Sequence, residues 1–228
     1  MKLPPTGVIV AAAGEGRRLG YARPKALVPL GGLPLFLHSV RTFSSLPFVR
    51  EIVLVLPGVW IDRVRKQYGA ELTRRKVTVM VAGGARRQDS VLEGLEAVTA
   101  PIVLVHDAAR PLVSREAVRD VVRAASRHGA AVLAAPAVDT VKIADGRGRV
   151  VHTPDRAHVW LAQTPQGFRR RTLLTAYRLN GGKDATDDVQ LVERMRGPVV
   201  IVPSHSANFK ITTPEDLARA KKLLDRGS

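Results

Sequence analysis

Residues 8–13 (VIVAAA) form a short apolar run, and residues 14–20 (GEGRRLG) follow it directly as a glycine-rich, basic loop. An unbroken apolar run of this length is typical of a strand that is buried on both faces of a sheet. Similar runs occur at residues 51–56, 77–82 and 102–105, and each ends at a turn or at polar residues. Together these runs predict a parallel sheet with loops at the ends of its strands.

Helical patterns separate these strands, at residues 35–44, 90–98 and 114–128, and a further apolar run lies at residues 131–135. Strands that alternate with helices favour right-handed βαβ units. We therefore expect an α/β fold with a doubly wound, mostly parallel, Rossmann-like sheet. Beyond residue 158 we expect strands at 159–163 and 199–202 and helices at 170–179, 187–195 and 214–225.

The alternation stops after Pro136. Residues 139–144 and 149–153 resemble two short strands, and residues 145–148 (DGRG) between them are typical of a turn. This pattern predicts a β-hairpin arm, at about residues 137–158, that projects from the main sheet. With no repeat and no low-complexity linker, residues 1–228 are expected to form a single domain that carries this arm.

The composition excludes several classes of protein. Hydrophobic residues make up 45% of the chain, but no apolar run approaches the ~18 residues of a membrane-spanning helix. The first residues lack the pattern of a signal peptide. Cysteine is absent, which excludes disulfides, thiolate nucleophiles and cysteine metal sites. We expect a cytoplasmic protein with no membrane partner.

The formal net charge is +16, which allows two interpretations. A basic surface attracts nucleic acid, whereas scattered arginines with a few phosphate-binding residues in one pocket need no such partner. The basic residues are spread along the chain, and aromatic residues, which stack on bases, are only 4%. We therefore expect small phosphorylated substrates and no nucleic-acid partner.

The loop after the first strand carries the most unusual chemistry. Its glycines do not match the dinucleotide-binding fingerprint, and no Gly-Lys-Ser/Thr follows as in a Walker A loop. Such a loop can still wrap a triphosphate with backbone N–H groups while Arg18 and Lys25 reach the phosphates. The alternative is an ordinary turn with two solvated cations.

Three more loops follow strand ends, where open parallel sheets bind ligands. At Gly83-Gly84 a flat base can approach the backbone, and Ser90 is placed either to bond that base or to cap the following helix. Asp107 and Arg110 offer an acceptor and a phosphate donor, unless they form only a local ion pair. Lys210 follows a late strand, and we assign it to the site only because the three other loops also lie at strand ends. His106 is expected to be packed rather than catalytic.

Seven short motifs now point to a known family. They are residues 12–18 (AAGEGRR) with Pro24-Lys25, residues 83–91 (GGARRQDSV), 105–111 (VHDAARP), 139–142 (DTVK), 163–166 (QTPQ), 186–188 (TDD) and 208–212 (NFKIT). In this order and spacing they resemble the 2-C-methyl-D-erythritol 4-phosphate cytidylyltransferase family of the sugar-phosphate nucleotidyltransferases. The resemblance extends from about Thr6 to the C-terminal helix.

The resemblance implies transfer of CMP from CTP to 2-C-methyl-D-erythritol 4-phosphate, giving 4-diphosphocytidyl-2-C-methyl-D-erythritol and pyrophosphate in non-mevalonate isoprenoid biosynthesis. It implies catalytic roles for Arg18 and Lys25. The CTP-binding residues that it implies are Ala12, Ala13, Gly14, Gly16, Lys25, Gly84, Ala85, Ser90 and Ala108. The acceptor-binding residues that it implies are Asp107, Arg110, Thr140, Arg156, Thr164, Thr186 and Lys210. It also implies a homodimer held by the arm.

This reaction suits the residue types present. The nucleophile is already an anionic phosphate oxygen, so the reaction needs positioning and fixed cations rather than a strong base. The sequence has no dense carboxylate cage, so Mg²⁺ or another divalent cation should be held mainly by the triphosphate and not by direct protein ligands. Two alternatives remain: a ribitol 5-phosphate cytidylyltransferase, and a non-catalytic nucleotide-binding or nucleic-acid-binding protein.

Overall fold

A seven-stranded sheet lies at the centre of this computed structural model, which describes residues 2–14, 16, 21, 23–204 and 207–226. In chain order the strands are β1 (Thr6–Ala11), β2 (Pro29–Leu30), β3 (Leu33–Pro34), β4 (Val49–Leu56), β5 (Val77–Ala82), β6 (Ile102–Asp107), β7 (Ala130–Pro136), β8 (Ile143–Ala144), β9 (Val150–His152), β10 (Trp160–Arg169) and β11 (Val200–Pro203). The helices are α1 (Leu35–Ser44), α2 (Ile61–Arg74), α3 (Arg87–Ala97), α4 (Arg115–His128), α5 (Arg170–Asn180), α6 (Asp188–Arg194) and α7 (Pro214–Arg226).

The strand order in the central sheet is β11-β7-β10-β6-β1-β4-β5. Strand β1 is parallel to both of its neighbours, β4 and β6, and β4 is parallel to β5. Strand β10 runs antiparallel between β6 and β7, while β11 is parallel to β7. The carboxyl ends of β1, β4, β5 and β6 therefore meet at one edge, where their loops converge.

Side chains of β1 alternate between two cores, because successive residues of a strand point to opposite faces. Val8 and Val10 pack in the cluster formed with α1, α2 and α4. Ile9 packs in the cluster formed with α3, α5 and α6. The sheet is therefore covered on both faces, which explains the unbroken apolar runs.

The structure confirms the doubly wound, mostly parallel α/β fold and most predicted elements. Helix α1 has the predicted bounds, and Ser114 caps α4 by accepting a hydrogen bond from the backbone N–H of Ala117. Two predictions were wrong in extent. The strand expected at residues 159–163 continues as β10 to Arg169, and the helix expected from Ser90 begins at Arg87. The sequence interpretation also missed α2 and the short β2–β3 ribbon.

The arm is present, with shorter strands than expected. Strands β8 and β9 pair antiparallel as a separate two-stranded sheet. The side chains of Ile143, Val150 and Val151 are exposed on them. Among the described residues, no helix is both long and apolar enough to cross a membrane.

Candidate active site

A cleft of about 730 Å³ lies at the carboxyl ends of β1, β5 and β6. This volume is within the range of small-molecule sites. The cleft brings together most of the site residues that the sequence predicted. They are Ala12, Ala13, Gly14, Gly16, Lys25, Gly84, Ala85, Ser90, Asp107, Ala108 and Lys210.

Gly14 and Gly16, the described glycines of the first loop, lie against Lys25. The backbone N–H of Lys25 donates to the carbonyl of Gly14 at 3.3 Å. Gly16 has φ +68°, and a side chain there would collide with Cβ of Lys25. Only glycine adopts this conformation in such a close contact at little cost. Arg18, the other predicted catalytic cation, lies outside the described residues.

Two glycines at the end of β5 let the second loop pack against the first. A Cβ at Gly83 would collide with the Cβ of Ala13, and one at Gly84 would lie 2.6 Å from Cβ of Asp89. Ser90 lies inside α3, and its hydroxyl donates to the carbonyl of Arg86 at 3.2 Å. The capping alternative for Ser90 was therefore wrong, because Arg86 is the N-cap.

Asp107 lies at the end of β6 with a cation on each side. Lys210 donates to its Oδ2 at 2.6 Å, and Nε of Arg87 donates to its Oδ1 at 3.3 Å. Burial opposes ionisation of Asp107, but these two positive charges outweigh it and lower the pKa of the carboxyl. Asp107 is thus a carboxylate that holds Lys210 at the cleft.

Arg87 continues into a buried network that sequence reasoning did not assign to the site. Its NH1 lies 2.8 Å from Oδ2 of Asp188, a carboxylate with 1% side-chain exposure. The hydroxyl of Tyr177 donates to the other oxygen of Asp188 at 2.9 Å. Burial alone would lower the pKa of Arg87, but the charges of Asp188 and Asp107 raise it. For Asp188, burial is the largest effect and raises the pKa. The available signal was that Arg87 and Asp188 both lie in family motifs.

Two predicted acceptor residues, Thr164 and Arg110, lie close to Asp107 but outside the described cleft lining. Thr164 is buried, and its hydroxyl accepts from the backbone N–H of Asp107 at 3.0 Å. NH1 of Arg110 donates to the carbonyl of Asn208 at 2.7 Å. The carboxylate partners of Asp107 are Arg87 and Lys210, so the local ion pair with Arg110 is not the arrangement found.

The other three predicted acceptor residues lie outside the cleft lining. Thr140 and Arg156 are exposed on the arm, where NH1 of Arg156 donates to the carbonyl of Val138 at 2.7 Å. Thr186 is exposed just before α6, and its N–H donates to Oε1 of Gln190 at 3.0 Å. Nothing in the structure tests their roles, which stay predictions.

The described lining of the cleft has more basic than acidic side chains, although Arg86, Arg87 and Lys210 each pair with a carboxylate. It carries four basic side chains, Lys25, Arg86, Arg87 and Lys210, and one carboxylate, Asp107. Within the described ranges no group of three His, Asp or Glu side chains is arranged to hold a metal ion. Such a cleft suits a polyanion whose charge is met by fixed cations.

A doubly wound sheet with this cationic, glycine-lined cleft defines a nucleotide-handling α/β protein. The family model described as 2-C-methyl-D-erythritol 4-phosphate cytidylyltransferase matches residues 6–226. The chain therefore belongs to this family of cytidylyltransferases, which are nucleotidyltransferase enzymes of isoprenoid biosynthesis.

Relatives with the same name align over nearly the full length. The chain is 42% identical over 231 residues to the 2-C-methyl-D-erythritol 4-phosphate cytidylyltransferase of Syntrophus aciditrophicus, covering 98% of this chain and 97% of that protein. It is 43% identical over 225 residues to that of Symbiobacterium thermophilum, covering 97% and 93%.

Solved structures agree in fold. The crystal structure of the Thermus thermophilus 2-C-methyl-D-erythritol 4-phosphate cytidylyltransferase has a TM-score of 0.79 and 37% identity, covering 99% of this chain and 100% of that one. That of the Anaerococcus prevotii 4-diphosphocytidyl-2C-methyl-D-erythritol synthase has a TM-score of 0.84 and 31% identity, covering 97% and 98%.

Proposed function

We propose that this chain transfers the cytidylyl group of CTP to 2-C-methyl-D-erythritol 4-phosphate. An oxygen of the acceptor phosphate attacks the α-phosphorus of CTP, the new P–O bond forms, and the bond to the β-phosphate breaks to release pyrophosphate. The observation that carries this proposal is the cationic cleft in which Lys25 and Lys210 lie beside glycine-rich backbone. Membership of the family supports the choice of CTP and of this acceptor.

The triphosphate would lie along the first loop. Ala12, Ala13, Gly14, Gly16 and Lys25 line the cleft there. The N–H of Ala12 donates to the carbonyl of Val55 at 2.9 Å, so the proposed backbone donors are the N–H groups of Ala13, Gly14 and Gly16. The ammonium of Lys25 supplies positive charge, and Arg18 is assigned to the same phosphates by the family motif. Fixed cations near the reacting phosphorus stabilise charge in the transition state without reorganising. Cytosine and its ribose would lie against Gly84, Ala85 and Ser90, which line the same part of the cleft.

The acceptor would approach from the side of Asp107 and Lys210. The carboxylate of Asp107 can accept from a hydroxyl of the sugar alcohol, and Lys210 can contact phosphates of both substrates. Arg110, Thr140, Arg156, Thr164 and Thr186 keep their proposed roles around this acceptor. Because Thr164 is buried, its proposed role requires either a small rearrangement or an indirect effect on Asp107.

Mg²⁺ is proposed to be held by the oxygens of the triphosphate and by waters. This assignment fits the residues present, because the single carboxylate in the described lining, Asp107, has both oxygens bonded by Arg87 and Lys210. Mg²⁺ is usually held by few carboxylates together with substrate phosphates. The metal would supply charge neutralisation on the phosphates.

The arm at residues 137–158 is proposed to contact a second copy of the chain, giving a homodimer of single-domain subunits. Its strands are too few and too short to bury a core, and their apolar side chains are exposed. A second subunit would cover these side chains. Thr140 and Arg156 would then serve either the cleft of their own subunit or the cleft of the second subunit. The expected cytoplasmic location stays a prediction.

Pyrophosphate release from CTP, measured against a panel of sugar-alcohol phosphates with and without Mg²⁺, tests the proposal. We expect 2-C-methyl-D-erythritol 4-phosphate to be the best acceptor. A higher kcat/KM for ribitol 5-phosphate would establish that alternative instead. Salt-dependent nucleic-acid binding at physiological ionic strength, with no pyrophosphate release, would reject the enzymatic role.

Single substitutions identify the cations that act in the reaction. Lys25→Ala should lower kcat about 10²–10³-fold, the usual effect of removing one transition-state contact. The matched control is Lys66→Ala, an exposed lysine of α2 that lies outside the cleft lining, and it should leave kcat unchanged. Equal activities of the two variants would contradict the role given to Lys25.

A further inference from the structure

His106 is a buried imidazole directly beside the carboxylate of the cleft. It is the penultimate residue of β6 and is 0% exposed. Its ring packs edge-on against Phe43 of α1, with centroids 5.0 Å apart. An imidazole in an apolar core costs stability unless its nitrogens are hydrogen-bonded. The structure gives both nitrogens a partner.

The protons of these hydrogen bonds can be assigned one by one. Nε2 lies 3.1 Å from the carbonyl oxygen of Arg110, which can only accept, so Nε2 carries the proton. Burial lowers the pKa of His106 to about 4, although the charge of Asp107 opposes the shift, so the ring is neutral at pH 7. Nδ1 is then an acceptor, and the Thr164 hydroxyl, 3.2 Å away, donates to it.

The Thr164 oxygen is in turn the acceptor for the backbone N–H of Asp107, at 3.0 Å. The three hydrogen bonds therefore form one continuous chain. The Asp107 amide donates to the Thr164 hydroxyl, this hydroxyl donates to Nδ1 of His106, and Nε2 of His106 donates to the Arg110 carbonyl. This chain closes around the segment 106–110, inside which the N–H of Arg110 donates to the carbonyl of Asp107 at 2.9 Å. The Asp107 amide is thus held by Thr164, and the Arg110 carbonyl is held by His106.

We propose that His106 is a positioning residue for the acceptor side of the cleft, and that it acts through the Thr164 hydroxyl and the Arg110 carbonyl. The hydrogen-bonded chain fixes the backbone of Asp107 and Arg110, and so fixes the carboxylate that holds Lys210. Thr164 then affects acceptor binding from outside the cleft lining, without touching the substrate. The kinetic consequence of this inference rests on the proposed function, whereas the hydrogen bonds around His106 do not depend on that function.

The proton assignment is tested on the unaltered protein by nitrogen NMR of its histidines. We expect His106 to be protonated at Nε2 and unprotonated at Nδ1 at pH 7. A proton on Nδ1, or a charged ring at this pH, would overturn the inference.

The mechanical link is tested by hydrogen exchange in two variants. His106→Phe keeps the ring packed on Phe43 but removes both hydrogen bonds, and Thr164→Val removes the hydroxyl. In each, exchange at the amides of Asp107 and Arg110 should become about 10-fold faster, the usual order for the loss of one buried hydrogen bond. Unchanged protection in both variants would overturn the link, whether or not the protein is active.

The kinetic consequence is tested by a double-mutant cycle on wild-type enzyme and variants. Each single variant should raise the KM for the acceptor about 10-fold and leave CTP affinity within about twofold of wild type. The double variant should raise the KM for the acceptor no further than either single variant does. Thr164→Ser, which keeps the hydroxyl, should recover most of the loss. Thr73→Val, an exposed threonine of α2, is the matched control and should change nothing.

Two kinetic outcomes count against the inference. If the double variant loses the product of the two single losses, about 100-fold, Thr164 and His106 act independently, as expected if Thr164 bonds the substrate directly. If the variants weaken CTP instead, the segment does not serve the acceptor. Failure of the wild type to release pyrophosphate with any acceptor would reject the proposed function, and hydrogen exchange would then decide the inference.

Discussion

Replacing Arg87 by methionine should destabilise the protein far more than replacing an exposed arginine. Methionine keeps most of the aliphatic stem but removes the guanidinium that lies 2.8 Å from Asp188 and 3.3 Å from Asp107. Asp188, at 1% exposure, is then left with the Tyr177 hydroxyl as its side-chain donor. Asp107 keeps Lys210. The main consequence is therefore a buried carboxylate without its counter-charge.

The size of the effect follows from this geometry. Removing one member of a buried ion pair costs about 3–5 kcal/mol, because the other charge stays buried and uncompensated. The side chain of Arg87 is 29% exposed, so water screens part of the interaction and the lower figure applies. We expect a loss of about 3 kcal/mol in the free energy of unfolding, or roughly 6–12 °C in Tm for a chain of this size.

The pH dependence gives a second signature. Burial raises the pKa of Asp188 even with Arg87 present, and removing Arg87 raises it further. A carboxyl whose pKa is higher in the folded than in the unfolded state binds a proton more readily in the folded state. Lowering the pH therefore stabilises the folded protein through this group. The stability deficit of Arg87→Met should therefore shrink towards low pH, and Asp188→Asn in the same chain should remove much of it.

Urea unfolding followed by circular dichroism, at several pH values, measures these differences. Arg65→Met is the matched control, because Arg65 pairs with Asp62 on the exposed face of α2 and surface pairs are worth about 0–1 kcal/mol. An equal loss of stability in Arg87→Met and Arg65→Met would refute the buried-network argument. So would strict additivity of Arg87→Met and Asp188→Asn.

Three further outcomes are expected. Gly83→Ala should raise the KM for CTP at least about 10-fold, since its Cβ would collide with Ala13 and part the two loops that meet there; Gly146→Ala, in an open turn of the arm, should leave KM unchanged. As the pH falls from 6.5 to about 4, the free energy of unfolding should drop by about 3 kcal/mol through His106, because the unfolded chain takes up a proton that the folded ring does not; a denaturation series in which His106→Phe shows the same drop would contradict this. Arg156→Ala should raise the KM for the acceptor and spare CTP affinity, and the opposite pattern in separate titrations would show that the acceptor pocket is misplaced.

The apolar runs were sufficient to predict the parallel part of the sheet. The runs of the inner strands matched because both faces of the sheet are covered there, so that no alternation with polar residues is required. Strand β5, at the edge of the sheet, keeps an apolar run although its residues are only partly buried or exposed. Helix α2 was missed although its apolar residues recur at helical spacing, at Ile61, Val64, Tyr68 and Leu72, and pack on the core. The pattern was present in the sequence, and the prediction overlooked it.

Strand β10 was predicted too short because its second half is polar in sequence and buried in the structure. Gln163, Thr164 and Gln166 are all buried there. Gln166 accepts from the N–H groups of Asp188 and Val189, and Gln163 accepts from Asn208. Buried polar side chains need such partners, and partners from distant segments cannot be recognised from local pattern.

The same limit explains which parts of the site the sequence could predict. The glycine-rich loops and Lys25 were found because their chemistry is local, and the cleft indeed brings them together. Arg87 was not assigned to the site, because its role depends on Asp107, twenty residues away, and on Asp188, a hundred and one residues away. A residue whose role is to position another residue has no local sequence pattern from which that role can be recognised.

Asp107 shows why a site for polyanions contains a carboxylate. Arg87 and Lys210 would repel each other across a small cleft, and each would lose side-chain freedom on being held there. One carboxylate between them offsets the repulsion and fixes the ammonium of Lys210 at 2.6 Å. The position of Lys210 then depends on Asp107, whose backbone is held by Thr164 and whose other oxygen is held by Arg87. Arg87 is itself fixed by Asp188. The ammonium of Lys210 is thus aligned by charges and hydrogen bonds already present in the fold, and in its proposed role it would need little reorganisation during the reaction.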